Sequence, residues 1–291
     1  MFPPVNHYQA KDKVTIAYQV IVLAALIIYY PKIQSAITFI IINSIIIITI
    51  LLFGKLKLDG IIKTLWDFYP VIFIPVNFFE LQHLVHVINP VDIDKTLIAI
   101  DLYFFGIHPT VWLERIIFPI LTEYLQIVYT SFYFLPIVLA VLLYRKQPEA
   151  FHFFIYVIVL GFYLSYIGYV IFPAIGPRFL LDLYQTVPLN GILLTDGIRS
   201  MLNNLEKIQR DCFPSGHTEI ALLTLIYSYK FHKPYFYVMM VIVTSLIFST
   251  VYLRYHYVVD VLGGIALAGI VYFIAAPLYQ YLKPQSGSNN S

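Results

Sequence analysis

Two histidines beside polar partners are the residues of this chain best suited to chemistry. His256 precedes Asp260 by four residues at the start of an apolar run, and residues with that spacing share one face of a helix. A carboxylate behind an imidazole fixes its tautomer and leaves the other ring nitrogen available as a nucleophile or base. The alternative is a buried structural pair, but ionisable groups within apolar spans are costly and usually functional. We therefore predict that His256 and Asp260 act together in catalysis.

The second histidine lies in the segment CFPSGH at residues 212–217. Ser215 is a good N-cap for the apolar helix that follows. The free N–H groups of the first turn and the helix dipole favour an anion such as phosphate, and His217 enters that spot as a candidate acid or base. Taken alone, PSGH is equally compatible with an ordinary capped helix start. Cys212 beside it could be a reactive thiol, but a small packing residue is the favoured interpretation.

Arginines flank both histidine segments. Arg178 follows a Gly-Pro dipeptide, and Arg254 lies two residues before His256. Guanidinium groups bind phosphate oxygens bidentately and keep their charge at physiological pH. Such arginines also extend to lipid headgroups, but we predict that both bind substrate phosphate. Lys207 and Arg210 are weaker candidates.

Composition places these residues in a membrane protein. Of the 291 residues, 60% are hydrophobic and only 12% are charged, with a mean hydropathy of +0.79. Soluble domains are usually about a quarter charged, so we predict an integral membrane protein surrounded by lipids. The net charge of +2 gives no indication of a nucleic-acid partner. One cysteine excludes an internal disulfide and a multi-cysteine metal site, and no carboxylate cluster suggests magnesium; we expect no metal or cofactor.

Eight apolar runs predict an all-α polytopic fold with about eight transmembrane helices. Most runs have the roughly 20-residue length that crosses a bilayer. They lie at about 14–30, 34–53, 64–88, 119–144, 151–173, 215–230, 235–253 and 257–281. If all eight runs cross, the lysine and arginine clusters between them fall on one side, which is the cytoplasm by the positive-inside rule. Both termini are then cytoplasmic, and the three motif segments meet at the external face.

The same pattern divides the chain into four parts. These are N-terminal transmembrane helices at 1–88, an external interfacial segment at 89–118, a six-helix catalytic core at 119–281 and a disordered polar tail at 282–291. The run at 64–88 contains Glu80 and His83, a Glu-x-x-His spacing known from di-iron bundles. Such a site needs a second copy on a facing helix, which the chain lacks, so we expect a structural or substrate-groove role for both residues.

The three motif segments resemble the type 2 phosphatidic acid phosphatase superfamily, which includes membrane lipid phosphatases, sphingolipid phosphotransferases and soluble vanadium haloperoxidases. Its pattern is K-x6-R-P, then P-S-G-H, then S-R-x5-H-x3-D. The resemblance covers about residues 119–281, and PSGH and HxxxD match fully. It implies that His256 is a nucleophile forming a phosphohistidine, that Asp260 orients it and that His217 protonates the leaving oxygen. It also implies a phosphate site formed by Ser215, Gly216 and Arg178.

Two positions depart from that pattern. Ile171 stands where the family has its lysine, and Thr250 where the third motif has its arginine. Arg254 is the candidate to supply the missing charge from a different point. The segments GPRF, CFPSGHTE and YLRYHYVVDVLGG are more similar to the inositol phosphorylceramide synthase-related branch than to the standard phosphatases.

The sequence therefore predicts an enzyme that acts on a lipid phosphate at the external membrane face. The main hypothesis is a metal-independent lipid phosphatase working through a phosphohistidine. The first alternative is a phosphotransferase that passes a phospho-headgroup to a lipid alcohol. A transporter using the buried His and Asp as a proton relay is a more remote alternative, because it leaves the PSGH turn unexplained.

Overall fold

The chain folds into helices throughout the described part of the molecule. A computed structural model describes residues 8–205 and 210–283, and no β-strand occurs in those ranges. The α-helices are α1 Ala10–Ile28, α2 Ala36–Phe53, α3 Gly60–Asp67, α4 Pro70–Ile88, α5 Asp94–Phe105, α6 Pro109–Trp112, α7 Pro119–Ser131, α8 Leu135–Tyr144, α9 Pro148–Ile171, α10 Pro177–Leu180, α11 Thr195–Leu205, α12 Gly216–Phe231, α13 Lys233–Tyr252 and α14 Val258–Leu282. The predicted all-α class is confirmed. Most of the predicted polar tail, from residue 284 onward, lies outside the described residues.

Several of these helices are long and apolar enough to cross a membrane. Within the described ranges, five segments meet that criterion: α2, the consecutive helices α3 and α4 taken together, α9, α13 and α14. The number rises to seven if two bent pairs each count as one span. These pairs are α5 with the 109–116 segment, bent by 59°, and α7 with α8, bent by 47°. The molecule is thus a polytopic membrane protein with five to seven candidate spans, where the sequence predicted about eight.

The difference from the predicted count has a physical reason. α1 carries Lys11, Asp12 and Lys13 in its first turn. α12 has only 16 residues, about 24 Å of helix, which is shorter than the ~30 Å hydrocarbon core. Neither helix meets the criterion alone. Conversely, the 89–118 segment, predicted to be interfacial, contains a bent helix pair that does meet it.

The charged start of α1 is buried against protein. Lys11 Nζ donates to the carbonyl oxygens of Trp66 at 3.0 Å and Asp67 at 2.9 Å. Asp12 accepts a 2.9 Å hydrogen bond from the Tyr69 hydroxyl. Because buried charges are tolerated only when they are paired or hydrogen-bonded, this network explains how a charged turn packs inside an apolar molecule.

Polar side chains also connect the N-terminal helices to the rest of the bundle. Gln19 of α1 donates to Asn77 of α4 at 3.0 Å, and Asn77 donates to the Tyr163 hydroxyl of α9 at 3.1 Å. Glu80 is buried and accepts a 2.7 Å bond from Asn43 of α2. His83 packs against the Phe39 ring with centroids 4.9 Å apart. Hydrogen bonds and close packing between helices are what hold helices together within lipid.

The centre of the bundle is α9. It packs against α1, α4, α8, α12 and α14, and most of its residues from Phe151 to Tyr169 are buried. Four helix ends meet at one end of the bundle: the C-termini of α9 and α13 and the N-termini of α12 and α14. A Cβ on Gly168, near the end of α9, would lie 2.7 Å from Pro214, just before α12. All three motif segments therefore lie at this end.

Candidate active site

Gly176 is the point where the three motif segments touch. Its φ of +102° is a conformation that side chains rarely adopt. A Cβ there would lie 3.1 Å from the Tyr255 carbonyl oxygen and 3.2 Å from Cys212 Sγ. The Cys212 amide donates to the Ala174 carbonyl oxygen at 3.2 Å. The segments around 176, 212 and 256 thus form one unit, as the sequence predicted.

His256 is held against Asp260 at the start of α14. Its Nδ1 lies 3.5 Å from Asp260 Oδ2, and both side chains are almost fully buried, at 4% and 0% exposure. The same carboxylate oxygen accepts from the Tyr257 amide at 2.8 Å and from Cys212 Sγ at 2.8 Å. The His256 amide donates to the Thr250 carbonyl oxygen at 3.0 Å. Because Nδ1 faces the carboxylate, Nε2 is the ring nitrogen available for chemistry.

His217 lies in the first turn of α12, across from His256. Ser215 caps this helix by accepting a 3.3 Å bond from the Thr218 amide. The Ser215 amide donates to the Asp260 carbonyl oxygen at 3.1 Å, which joins the starts of α12 and α14. The two histidine rings have centroids 5.8 Å apart and an interplanar angle of 62°. At that distance and angle the rings lie edge to face, so both can reach one phosphate group placed beside them.

The two histidines lie together at a capped helix N-terminus, and a carboxylate lies behind one of them. This arrangement is suited to phosphoryl transfer. The sequence model of the PAP2 superfamily matches residues 95–274, more than half of the chain.

The chain belongs to the PAP2 superfamily.

This confirms the resemblance that the motifs suggested, and membership points to a phosphatase or phosphotransferase. The chain is also similar to a PA-phosphatase related-family protein of Dictyostelium discoideum, with 35% identity over 99 residues. That similarity covers 33% of this chain and 18% of the relative, so the chain spans only about a fifth of the relative's length. No solved structure matches.

At two positions where the PAP2 pattern has a lysine or an arginine, this chain has an uncharged residue. Ile171 ends α9 with its side chain 53% exposed. Thr250 is buried, and its carbonyl oxygen accepts bonds from the amides of Tyr255 and His256. Thr250 therefore shapes the turn that presents His256, and the charge that the PAP2 motif has here is absent from this position.

Arg178 is the predicted phosphate ligand whose charge is best placed. Its Nη1 donates to Asn203 Oδ1 at 2.9 Å, and its guanidinium lies 5.0 Å from the centre of the Tyr255 ring. Tyr255 stacks on Tyr129 at 4.4 Å, and Tyr129 stacks on His217 at 4.5 Å. An amide bears no net charge, so the contact with Asn203 does not neutralise Arg178.

The sequence predicted that Arg254 binds phosphate, whereas in the structure its guanidinium binds a carboxylate and a carbonyl oxygen of the protein. Its Nη2 forms a 2.7 Å ion pair with Glu114 and donates to the Val187 carbonyl oxygen at 2.5 Å. Its φ of +66° is uncommon for a residue other than glycine. Arg254 thus joins the 254–256 turn to two distant segments, with its charge paired to a carboxylate. Arg210 is paired as well, at 2.7 Å to Asp92, and Lys207 lies outside the described residues.

Two cavities lie near the histidine pair. A polar one of about 340 Å³ is lined on the Arg178 side by Arg178, Arg199, Arg254, Asp182 and Tyr255, among others. An apolar one of about 310 Å³ ends at Asp211, Gly216 and His217. The stack of Tyr255 and Tyr129 on His217 lies between them. The apolar cavity therefore reaches His217 directly, whereas the polar cavity lies behind Tyr255.

Cys212 and Asp211, just before the PSGH motif, lie in the site, although the sequence did not predict a role there for either residue. Cys212 is buried and donates to Asp260, and burial together with the charge of Asp260 raises the pKa of its thiol well above the usual range. Burial also raises the pKa of the Asp211 carboxyl to about 6, although the charges of His256 and Arg178 oppose that rise. Their adjacency to the motif was the only signal in the sequence.

Cys212, His256 and Asp260 also have the ligand types of a metal site. Their Sγ, Nδ1 and carboxylate oxygen lie within 4.8 Å of one another. Zinc accepts such a set only when the thiol is deprotonated, and the raised pKa of Cys212 opposes that step. The hydrogen bond from Sγ to Asp260 fits a protonated thiol that supports the carboxylate.

Proposed function

We propose that the protein is an integral membrane lipid phosphatase that hydrolyses a lipid phosphate or diphosphate through a phosphohistidine intermediate. The observation that carries the proposal is the pair of facing imidazoles. His256 has Asp260 behind its Nδ1, and the His217 ring lies edge to face with the His256 ring, with centroids 5.8 Å apart. One group can then attack phosphorus while the other protonates the oxygen that departs.

The reaction runs in two steps. Nε2 of His256 attacks phosphorus in line, the N–P bond forms, the P–O bond to the lipid breaks, and His217 gives its proton to the departing oxygen. Water then enters; His217 takes a proton from it, the new P–O bond forms and the N–P bond breaks. Asp260 holds the His256 ring and stabilises its positive charge. Positioning and charge stabilisation supply most of the acceleration.

The phosphate oxygens are held by the start of α12 and by Arg178. The amides of Gly216 and its neighbours point out of a helix of 16 residues capped by Ser215, and such a terminus favours anions. Arg178 adds a charge that its neutral partner Asn203 leaves in place. Arg254 acts on this site chiefly by holding the turn before His256. No step calls for a metal ion.

The membrane orientation follows from the charge pattern. With lysine- and arginine-rich connections in the cytoplasm, the end of the bundle that holds both histidines faces outward and both termini face the cytoplasm. The substrate is then a lipid phosphate of the external leaflet. Labelling an engineered cysteine near Asn190 with a membrane-impermeant reagent in intact cells tests this; labelling only after lysis would contradict it.

Phosphate release from detergent-solubilised lipid phosphates tests the reaction. The panel holds phosphatidic acid, phosphatidylglycerophosphate, undecaprenyl diphosphate and a sphingoid phosphate, with EDTA present. We expect metal-independent release that His256→Ala lowers by at least about 10³-fold while leaving the protein folded. Near-normal release by a folded His256→Ala protein would overturn the nucleophile assignment.

A phosphotransferase is the second candidate, because the polar cavity beside Tyr255 has room for a group larger than phosphate. Its volume is about 340 Å³, and Arg178, Arg199 and Arg254 line it. In that reaction a lipid alcohol replaces water in the second step. Adding a ceramide-like or diacylglycerol acceptor separates the two: a new lipid without phosphate release supports transfer.

A further inference from the structure

An apolar cavity leads from His217 along α9, between α4 and the α7–α8 pair. It has a volume of about 310 Å³ and is lined by parts of α4, the α7–α8 pair, α9 and the start of α12. On α9 the lining extends from Phe154 to Tyr169, sixteen residues whose ends are about 22 Å apart along the helix. One leaflet contributes about 15 Å of hydrocarbon, so the cavity is longer than the hydrocarbon layer of one leaflet is thick.

The chemistry of the cavity changes from one end to the other. Asp211, Gly216 and His217 lie at the end next to the site, and the remaining lining is mostly aliphatic and aromatic. The Tyr166 hydroxyl, one of the few polar groups along the wall, already donates to the Ile74 carbonyl oxygen at 3.1 Å. A site of this kind offers little to water, which needs two to four polar partners, and suits an alkyl chain.

We propose that this cavity binds one alkyl chain of the lipid whose phosphate contacts His217 and His256. The inference rests on the proposed function and adds to it that the substrate is selected by chain length. The proposal is based on the position of His217, which lines the cavity and also contacts the His256 ring, so the cavity and the catalytic site are continuous. A lipid whose phosphate contacts both rings therefore has apolar space next to it in this cavity.

Part of the wall comes from a region outside the PAP2 match. Phe68, Ile74 and Phe78 line the cavity from α4 and the turn before it, whereas the family model matches residues 95–274. The N-terminal helices thus complete a pocket that the matched region leaves open on one side. This gives α4 a direct part in choosing the substrate.

The end of the cavity farthest from His217 is lined by Phe68, Ala140 and Phe154. Phe68 and Phe154 line it, and Phe68 packs on Phe151, in the first turns of α9, at 5.1 Å between centroids. α8 and α9 run antiparallel around the short connection at 145–147, so Ala140 lies opposite this end of α9. A larger side chain at Ala140 shortens the cavity from the end farthest from the histidines.

Ala140→Phe tests the proposal, with Val141→Phe as the matched control on the lipid-facing side of α8. Ala140 is 1% exposed and lines the cavity, whereas Val141 is 59% exposed. The measurement is kcat/KM for lipid phosphates that differ only in chain length. We expect Ala140→Phe to lower the ratio of long-chain to short-chain kcat/KM by at least about tenfold, the loss expected when two methylenes leave an apolar site. Val141→Phe should leave that ratio within about twofold.

Two further variants keep the test decisive if Ala140→Phe folds poorly. Ala140→Leu should shift the ratio in the same direction by a smaller factor. Phe154→Leu lengthens the cavity and should shift the ratio toward longer chains. An equal change for all chain lengths in these variants, or the same change in Val141→Phe, would overturn the proposal.

A binding measurement separates this proposal from the proposed function. A long-chain lipid phosphate with a photoactivatable group at the chain end is crosslinked to the His256→Ala protein, and the labelled peptides are mapped. Labelling of α4, α8 or the first half of α9, reduced by Ala140→Leu, supports the chain site even if no lipid phosphate is hydrolysed. Phosphate release by the wild-type protein with labelling elsewhere would leave the function intact and refute the chain site.

Discussion

Buried ionisable groups cluster at both ends of α9, and the two clusters differ in how their polar atoms are used. At the start of α9, Lys11 donates to two carbonyl oxygens, and Asp67 accepts from Lys63 and, at 3.2 Å, from Tyr144. At the other end, the carboxylate oxygen Asp260 Oδ1 has no hydrogen-bond partner among the described residues; near the first cluster the buried atoms without one include an imidazole nitrogen, His152 Nδ1. Asp211 and His217 of the second cluster also line the apolar cavity.

The difference separates a structural use of buried charge from a chemical one. Charges that hold helices together need partners in the ground state, because an unpaired buried charge is expensive. A reactive site must leave some groups ready for atoms that arrive with the substrate. Substitutions in the two clusters should therefore change different measurements.

The largest effect after loss of His256 itself is expected from Asp260→Asn. Asparagine keeps the size of the side chain but removes the charge that orients and stabilises the His256 ring. We expect kcat to fall by about 10²-fold, with KM changed much less. Steady-state kinetics on the best lipid phosphate measures this. A change confined to KM would show that Asp260 serves binding and not the chemical step.

Asp67→Asn should have the opposite profile. The change removes the charge that Lys63 pairs with and that lies beside buried Lys11. We expect a loss of about 2 kcal/mol in the free energy of unfolding, because Lys11 is left buried with less compensation. kcat should stay within about twofold in the protein that remains folded. Thermal unfolding in detergent, together with kinetics below the transition, measures both quantities; a large fall in kcat without loss of stability would contradict the division between the clusters.

Cys212→Ala should lower kcat by roughly tenfold, and Cys212→Ser should restore most of it. Alanine removes the donor that supports Asp260 Oδ2, whereas the serine hydroxyl can still donate. One lost hydrogen bond to a charged group corresponds to about this factor. If the Ala and Ser variants were equally impaired, packing by the sulfur would be the property that matters. If Cys212 served only to pack, serine would not restore kcat.

The smallest effect is expected from Asp211→Asn and depends on pH. Burial favours the neutral form of the Asp211 carboxyl and raises its pKa to about 6; the group therefore gains a negative charge as pH rises through that value. Ionised Asp211 repels an anionic substrate, so KM of the wild-type protein should rise above pH 6. Titration of the substrate phosphate, with a second pKa near 6, affects both proteins alike.

The ratio of the two KM values isolates the Asp211 contribution. We expect the wild-type KM to increase relative to that of Asp211→Asn by about threefold between pH 5 and pH 7.5, a modest factor because the group is partly solvated. A ratio that does not change with pH would mean that Asp211 does not face the bound phosphate.

Much of the fold and of the candidate site could be predicted from the sequence. The membrane class follows from composition, because too few polar residues are present to cover a water-facing surface. The PSGH turn and the His256–Asp260 spacing are local patterns, and each predicts its own geometry whatever surrounds it. The structure brings these segments together at Gly176, as the sequence led us to expect.

Other features depended on contacts that no local pattern encodes. Fewer helices than predicted qualify as spans, because α1 begins with three charged residues and α12 has only 16 residues. The charges of α1 are accommodated by buried partners from distant parts of the chain. Arg254 was predicted to bind phosphate, but it pairs with Glu114, a residue 140 positions away. Cys212 was interpreted as a packing residue, and it donates to Asp260 across 48 positions.

The sequence by itself determined that the protein lies in a membrane, that it resembles the PAP2 superfamily and which two histidine segments form the candidate site. These follow from hydropathy and from residues close together in the chain. Only the tertiary structure decided which cations are available to a substrate, which groups support Asp260 and where an alkyl chain can enter. Those outcomes depend on how helices distant in sequence pack, because a charge or a cavity exists for a ligand only if no neighbouring helix has already filled it.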